Sequence, residues 1–252
     1  MIRLLRAEWT KTRTEPAARW LLPCAVVATV LVSLLAVAAA SCPPGRCGLD
    51  PAALSLAGVQ FGQALVVLLA VLAVGGEHAT GLLRTTFVAA PRRVAVLAAK
   101  AVVLTGLTLS AGVVAVLGCL TAGRMILPGN GVPAPALADG ATLRAAVGTA
   151  FYLVLIGLLA LGVAAAVRDA ASAAGVVFVL LYGVPLIAEL INDAELQRAL
   201  RRYAPMSAGL AVQATTDLDA LPIGPWAGLA VLAGWSAAAI LLGALFLHRR
   251  DP

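Results

Sequence analysis

The sequence predicts an all-α membrane protein that crosses the bilayer six times, and three observations carry that fold class. Of its 252 residues, 62% are hydrophobic and only 12% are charged, far outside the range of a soluble globular domain. Six runs are free of charge, between Arg19 and Arg46, Asp50 and Glu77, Lys100 and Arg124, Arg144 and Arg168, Asp169 and Glu189, and Asp219 and His248. Each holds the roughly 20 apolar residues that a helix needs to cross the hydrocarbon layer. Segments of alternating polarity, the mark of a barrel strand, are absent. An even number of crossings puts both termini on one face. Twelve of the 18 Lys and Arg residues then fall on the N-terminal face and six on the other, so the positive-inside rule makes the N-terminal face cytoplasmic. This bias accounts for the formal net charge of +6. No basic segment is interleaved with aromatics, so nucleic acid is not an expected partner.

Residues 1–15 place Ile2, Leu5 and Trp9 on a narrow apolar stripe flanked by Arg3, Arg6 and Arg13 on one side and by Glu8 and Lys11 on the other, with Leu4 off the pattern. This is the pattern of a helix lying on the inner surface, held by anionic lipid headgroups. The first span is expected at about 17–40; its apolar run is too long for the core of a cleaved signal peptide. Beyond it, Cys42 and Cys47 are separated by Pro-Pro-Gly-Arg, a spacing that suits either a disulfide on an oxidising face or two free thiols. Cys24 and Cys119 fall within spans and read as core residues.

The second span, about 52–75, contains Gly58-Val-Gln-Phe-Gly62, a small-x-x-x-small pattern suited to close helix packing. Gln60 and Gln63 are three residues apart within it; they either line a polar route or bond as amides to neighbouring helices. Between this span and the third, about 100–122, lies the long basic interruption from Gly75 to Lys100. There Leu82, Leu83, Thr86, Phe87 and Ala90 line one face of a short helix that Pro91 ends. Glu77 stands before that helix and Arg92, Arg93 and Lys100 after it. Glu77 at the membrane edge either stands as a solvated interfacial charge or takes a cation, for which the N-terminal helix with Arg6, Lys11 and Arg13, together with Arg92 and Arg93, is the nearest supply. In the second case Glu77 is expected to tie the second span to that helix.

A loop rich in Gly, Pro and Asn at 128–140 leads to the fourth span, 145–167. The short link Arg168-Asp169-Ala-Ala-Ser172 joins it to the fifth, 173–191, as an antiparallel hairpin. From Asn192 to Ala204, Leu196, Leu200 and Tyr203 oppose Arg198, Arg201 and Arg202, which predicts an amphipathic surface helix. Pro205 and Pro222 bracket a stretch that is expected partly to re-enter the outer leaflet. The sixth span, 225–247, is anchored by Trp226 and by the cations after His248.

The chain has no Walker-type phosphate loop and no His-Glu-x-x-His helix. Ser236, in Gly234-Trp235-Ser236-Ala237, lacks a histidine within any span to act as its base. The span interiors hold no ionisable group to couple an ion gradient, so transport would draw its energy from a partner.

Together, Glu77-His-Ala-Thr-Gly81, then Leu-Leu-Arg-Thr-Thr-Phe87, Pro91-Arg92-Arg93 and Lys100, with Glu8-Trp-Thr-Lys11, Tyr203-Ala-Pro-Met-Ser-Ala-Gly209, Pro225-Trp226-Ala-Gly228 and His248-Arg-Arg-Asp251, resemble bacterial ABC transporter permeases of the type-two exporter group. The composition, rich in Ala, Gly, Val and Arg, looks like that of actinobacterial members. The resemblance implies a single permease domain over 1–252 without catalysis of its own, paired with a second permease copy in the cell membrane. It also implies that a cytoplasmic ATP-binding-cassette ATPase carries the ATP and Mg. Residues 1–15 would be the elbow helix and 81–90 the coupling helix, with Glu77, Gly81, Leu83, Arg84, Phe87, Arg92 and Arg93 serving ATPase coupling. The alternative is a membrane scaffold or immunity subunit that binds partners without translocating anything.

Overall fold

Every regular element that the computed structural model describes is a helix, over residues 2–42, 48–79, 93–136, 139–167 and 169–249. The helices are α1 (Ile2–Thr14), α2 (Pro16–Ala39), α3 (Pro51–Ser55), α4 (Val59–Ala79), α5 (Arg93–Ile126), α6 (Gly140–Val167), α7 (Ala170–Phe178), α8 (Val184–Leu190), α9 (Ala194–Tyr203), α10 (Pro205–Leu210) and α11 (Pro225–Arg249). Among the described residues, five stretches are long and apolar enough to cross a membrane: Arg19–Ala39, Val94–Asn130, Gly140–Val167, Ala170–Leu190 and Pro225–His248. The chain is thus a multi-pass helical membrane protein. The expected second span is shorter, an apolar helix over Val59–Gly75.

The core forms around α6, the most buried of these helices, which packs on α11, α5 and α4. Apolar burial gives helices little reason to associate inside lipid, so close backbone approach must do the work. Gly162 supplies it on one side, where an added Cβ would lie 2.4 Å from the Ala239 carbonyl carbon of α11. At Gly148 it would lie 2.1 Å from Val212. The Gly58 and Gly62 pair does the same on α2, both glycines resting on Thr29. Ser236 continues the seam, its hydroxyl donating to Leu155 O of α6 at 2.8 Å and to Leu232 O at 2.9 Å.

Several expected boundaries shift. The third span was expected from residue 100, but α5 begins at Arg93 and runs 34 residues, so Lys100 lies inside a helix instead of closing a loop. Charge marked the boundary in the sequence, yet a cation with a partner is compatible with a helix interior. The fifth span is one helical run from Ala170 to Leu190, interrupted by a π-turn at Val179–Gly183. Pro185 has no N–H to give Leu181, and the widened turn absorbs the break. Asp169 caps α7 by accepting from Ser172 N at 2.7 Å, which makes the hairpin turn with α6. The expected surface helix is α9, capped by Asp193 and without a buried residue. After it, α10 and the turn Ala211–Gln213 go inward, with Pro205, Ala208, Gly209 and Val212 buried against α6 and α11.

The glycine seam makes a signed prediction. Gly162→Ala should lower the thermal stability of the purified chain by about 1–3 kcal/mol through overpacking. Gly106→Ala, on a helix with nothing within 4 Å of the new methyl, should be neutral or stabilise by up to about 1 kcal/mol. Equal melting temperatures for the two variants would refute the seam.

Candidate functional site

The N-terminal helix is held by a charge, not by its apolar stripe. On α1 the inward residues are Leu4, Leu5, Glu8, Lys11 and Thr12, while Trp9 is 49% exposed. The helix is therefore rotated from the orientation that Ile2, Leu5 and Trp9 suggested, and Leu4 belongs to its packed face. The cause is Glu8, only 4% exposed, whose carboxylate lies 2.8 Å from Lys100 Nζ. Lys100 is itself 8% exposed and also donates to Ala73 O at 3.0 Å. Lys11 stands 3.9 Å from the other Glu8 oxygen. One ammonium thus fastens α1 to α5 and to the end of α4. A carboxylate and an ammonium withdrawn from water need such mutual satisfaction, because either alone would carry its full desolvation cost.

This is the role expected of Glu77. Glu77 and Arg93 lie in the helices that end and begin at residues 79 and 93, but their side chains fall outside the described residues. Gly81, Leu83, Arg84, Phe87 and Arg92, with the expected coupling helix at 81–90, also lie outside them. What the described residues establish is the frame. The end of α4 and the start of α5, on either side of 80–92, are both bonded to Lys100 or contain it, and α1 is locked to the same lysine. Gly75 of α4 also meets α7, its added Cβ lying 2.5 Å from that of Ala170.

The two glutamines part company. Gln63 is fully buried, accepts from the Tyr152 hydroxyl and directs its amide nitrogen to Met206 Sδ at 3.4 Å. It links α4, α6 and α10 as an amide bonded to neighbours. Gln60 is exposed, its carbonyl accepting from the Tyr182 hydroxyl, and its side chain lines a cavity of about 410 Å³. Glu189, Arg201, Ser207 and Gln213 line the same cavity, with Arg201 bonded to Glu189 at 2.9 Å. The glutamines are therefore not a pair on one polar route; the tight turn at 56–58, bonded i to i+3, precedes them.

On the face opposite α1, Asp50 gathers the loops. It caps α3 by accepting from Ala52 N at 3.0 Å and Ala53 N at 3.1 Å, and Pro51 occupies the first helical position. The same carboxylate accepts from the Thr215 hydroxyl at 2.6 Å, from Thr215 N and from Thr216 N at 3.1 Å. Burial pushes the Asp50 carboxyl up, but the Thr215, Ala53 and Thr216 hydrogen bonds outweigh it and hold the group below its ordinary value. Arg144 fixes the neighbouring strand of loop, donating to Ala214 O at 2.6 Å. Nearby, Cys42 N donates to Asn130 O, and Cys42 is disulfide-bonded while Cys24 and Cys119 are free; Cys47 lies outside the described residues.

Sequence reading missed Glu8 and Lys100 as partners because they are 92 positions apart. A single acidic residue among cations on a short amphipathic helix was the available signal. Asp50 could have been found from Asp-Pro, the N-cap and first-turn pair of a helix; that it also bonds Thr215 could not.

Two outcomes test these contacts. Lys100→Met strands a buried carboxylate and should cost about 3–5 kcal/mol in the purified chain, whereas the double change Glu8→Leu with Lys100→Met should recover most of it. An additive double variant would contradict the pairing. For Asp50, a folded-state pKa below the unfolded one gives stability that is complete above the ordinary carboxylate value of about 3.9 and is lost as the pH falls through the lower folded value. Melting curves should show wild type above Asp50→Asn at neutral pH and the gap closing in acid; a gap independent of pH would exclude the clamp.

Neither protein-family models nor curated sequences give a match to this chain.

Proposed function

We propose that this chain is the membrane-spanning permease subunit of an ATP-driven ABC exporter of the type-two group, working as a dimer and energised by a separate cytoplasmic ATPase. The observation that carries the reading is the Glu8–Lys100–Ala73 anchor. It fixes an amphipathic N-terminal helix to both helices that border residues 80–92, the mount a coupling segment requires if it is to transmit force. In this reading α1 is the elbow, 81–90 is the coupling helix, and Leu83, Arg84 and Phe87 meet the ATPase.

In this reading α4, the expected second span, adds a crossing to the other five. It starts beside the Asp50 face, where Gly58 N bonds Ser33 Oγ at 3.0 Å, and ends at the Lys100 face, where Ala73 O accepts from that lysine. A helix of 21 residues rises about 31 Å, the thickness of the hydrocarbon core. Both termini are cytoplasmic by the distribution of basic residues.

Co-purification with a cytoplasmic ATP-binding-cassette ATPase co-expressed with this chain, followed by ATP hydrolysis in reconstituted vesicles, tests the proposal. Phe87→Ala should loosen ATPase binding, and Glu77→Gln should leave the chain inserted but weaken stimulation of hydrolysis. Wild-type behaviour in both would leave 81–90 without a coupling role; a chain that binds a partner without any effect on hydrolysis or transport would be the scaffold of the second reading. In a background without the native cysteines, Gly129→Cys should react with an impermeant thiol reagent on intact cells and Ala89→Cys should not. Labelling of Ala89→Cys from outside would reverse the orientation.

A further inference from the structure

The underside of α1 is incompletely filled. Between α1, α2, α4 and α5 lies a crevice of about 290 Å³, lined by Trp9 and Arg13 of α1, Arg19 and Leu22 of α2, Leu69 of α4 and Leu107 of α5. Its inner wall is apolar: Leu69 is 3% exposed, and Leu22 and Leu107 are half-buried. Its mouth is cationic. Arg19 reaches back across the turn between α1 and α2, its Nε donating to the Arg13 backbone O at 2.9 Å, and both of these exposed arginines line the crevice. Neither has a carboxylate partner within 4.0 Å among the described residues. Glu8, the single acid of α1, is turned inward to Lys100. Glu15 stands at the same turn, so Arg13, Arg19 and Glu15 leave the mouth with a net positive charge.

Depth matches this polarity. Leu107 lies seven residues beyond Lys100 along α5, about 10 Å further into the apolar layer, and Leu69 lies one helical turn deeper than Ala73 along α4. A slot that is positive at the membrane surface and apolar toward its centre, with a half-exposed tryptophan at the boundary, fits a molecule that is anionic at one end and hydrocarbon at the other.

We propose that this crevice is a binding site for one anionic phospholipid, its phosphate held by Arg13 and Arg19 and an acyl chain lying along Leu22, Leu69 and Leu107. The bound lipid fills the space beneath α1 and completes its seat. The assignment stands apart from any role in transport and requires only that α1 lies at a membrane surface.

Trp9 is the probe. The full chain, with Trp20, Trp226 and Trp235 changed to Phe, is reconstituted in symmetric phosphatidylcholine vesicles, so that orientation does not matter. Phosphatidylglycerol or phosphatidylcholine brominated on the acyl chain is then titrated in, and quenching of Trp9 is followed. Brominated phosphatidylglycerol should be favoured about tenfold. Arg13→Gln with Arg19→Gln should abolish the preference, and Arg13→Lys with Arg19→Lys should retain most of it, with circular dichroism confirming that each variant is folded. Soluble glycerol phosphate should displace neither lipid. Equal quenching by the two lipids, or a preference that survives the double Gln change, would overturn the site. Release of the brominated lipid by glycerol phosphate would assign the pocket to a soluble phosphate and equally overturn the proposal.

Discussion

The buried pair between Glu8 and Lys100 is the contact on which the arrangement of one whole face depends. Without it α1 would present Trp9 and its apolar neighbours inward; with it, the helix turns its carboxylate in and leaves Trp9 half-exposed at the edge. The lysine has a second duty, since Ala73 O near the end of α4 accepts from the same ammonium. Two helices and the N-terminal segment are thereby referred to one point. Such a pair adds little net stability over apolar packing, but it penalises every arrangement in which either charge is alone. It therefore selects a position for α1 more than it strengthens one.

Away from that face, the bundle is assembled by small residues and shared hydrogen bonds. Gly162 lets α11 approach α6 to backbone contact, Gly148 makes room for the Val212 side chain of the turn after α10, and Gly58 and Gly62 seat the start of α4 on Thr29 of α2. Polar groups are used as ties: buried Gln63 to Tyr152, buried Ser236 to Leu155, and half-buried Asp50 to Thr215. Each satisfies a group that lipid could not. The central helix α6 collects these contacts, which leaves α2, the α7–α8 run and α11 with broad apolar outer faces that carry Leu31, Leu35, Val179, Leu186 and Leu241.

The polar features fall into two layers. One holds Glu8, Lys100 and the start of α7 at Asp169; the other holds Asp50, Arg144, Thr215 and the Glu189–Arg201 pair. Glu189–Arg201 and Glu195–Arg198 are exposed, so their contribution to stability is small. Asp50 is different because backbone amides from two separate loops converge on one carboxylate. Asp50 thereby ties the start of α3 to the loop at Thr215 and Thr216, while the Lys100 layer frames the segment on which the proposed coupling depends.

Composition and spacing alone determined that this chain is helical and membrane-embedded, because long charge-free apolar runs have no other stable form in a bilayer. They also located the surface helix at α9, the hairpin turn at Asp169 and the close packing at Gly58 and Gly62, since each of these is a local pattern written in neighbouring residues. Which charges meet was decided only in three dimensions. Glu8 and Lys100 are 92 positions apart and Asp50 and Thr215 are 165 apart, and no local rule connects them. The same holds for the glutamines, where three residues of spacing suggested a shared face but packing buried Gln63 beneath Tyr152 and left Gln60 at a cavity wall. A periodic pattern reports which side of a helix is apolar; it does not report the rotation that one buried charge imposes.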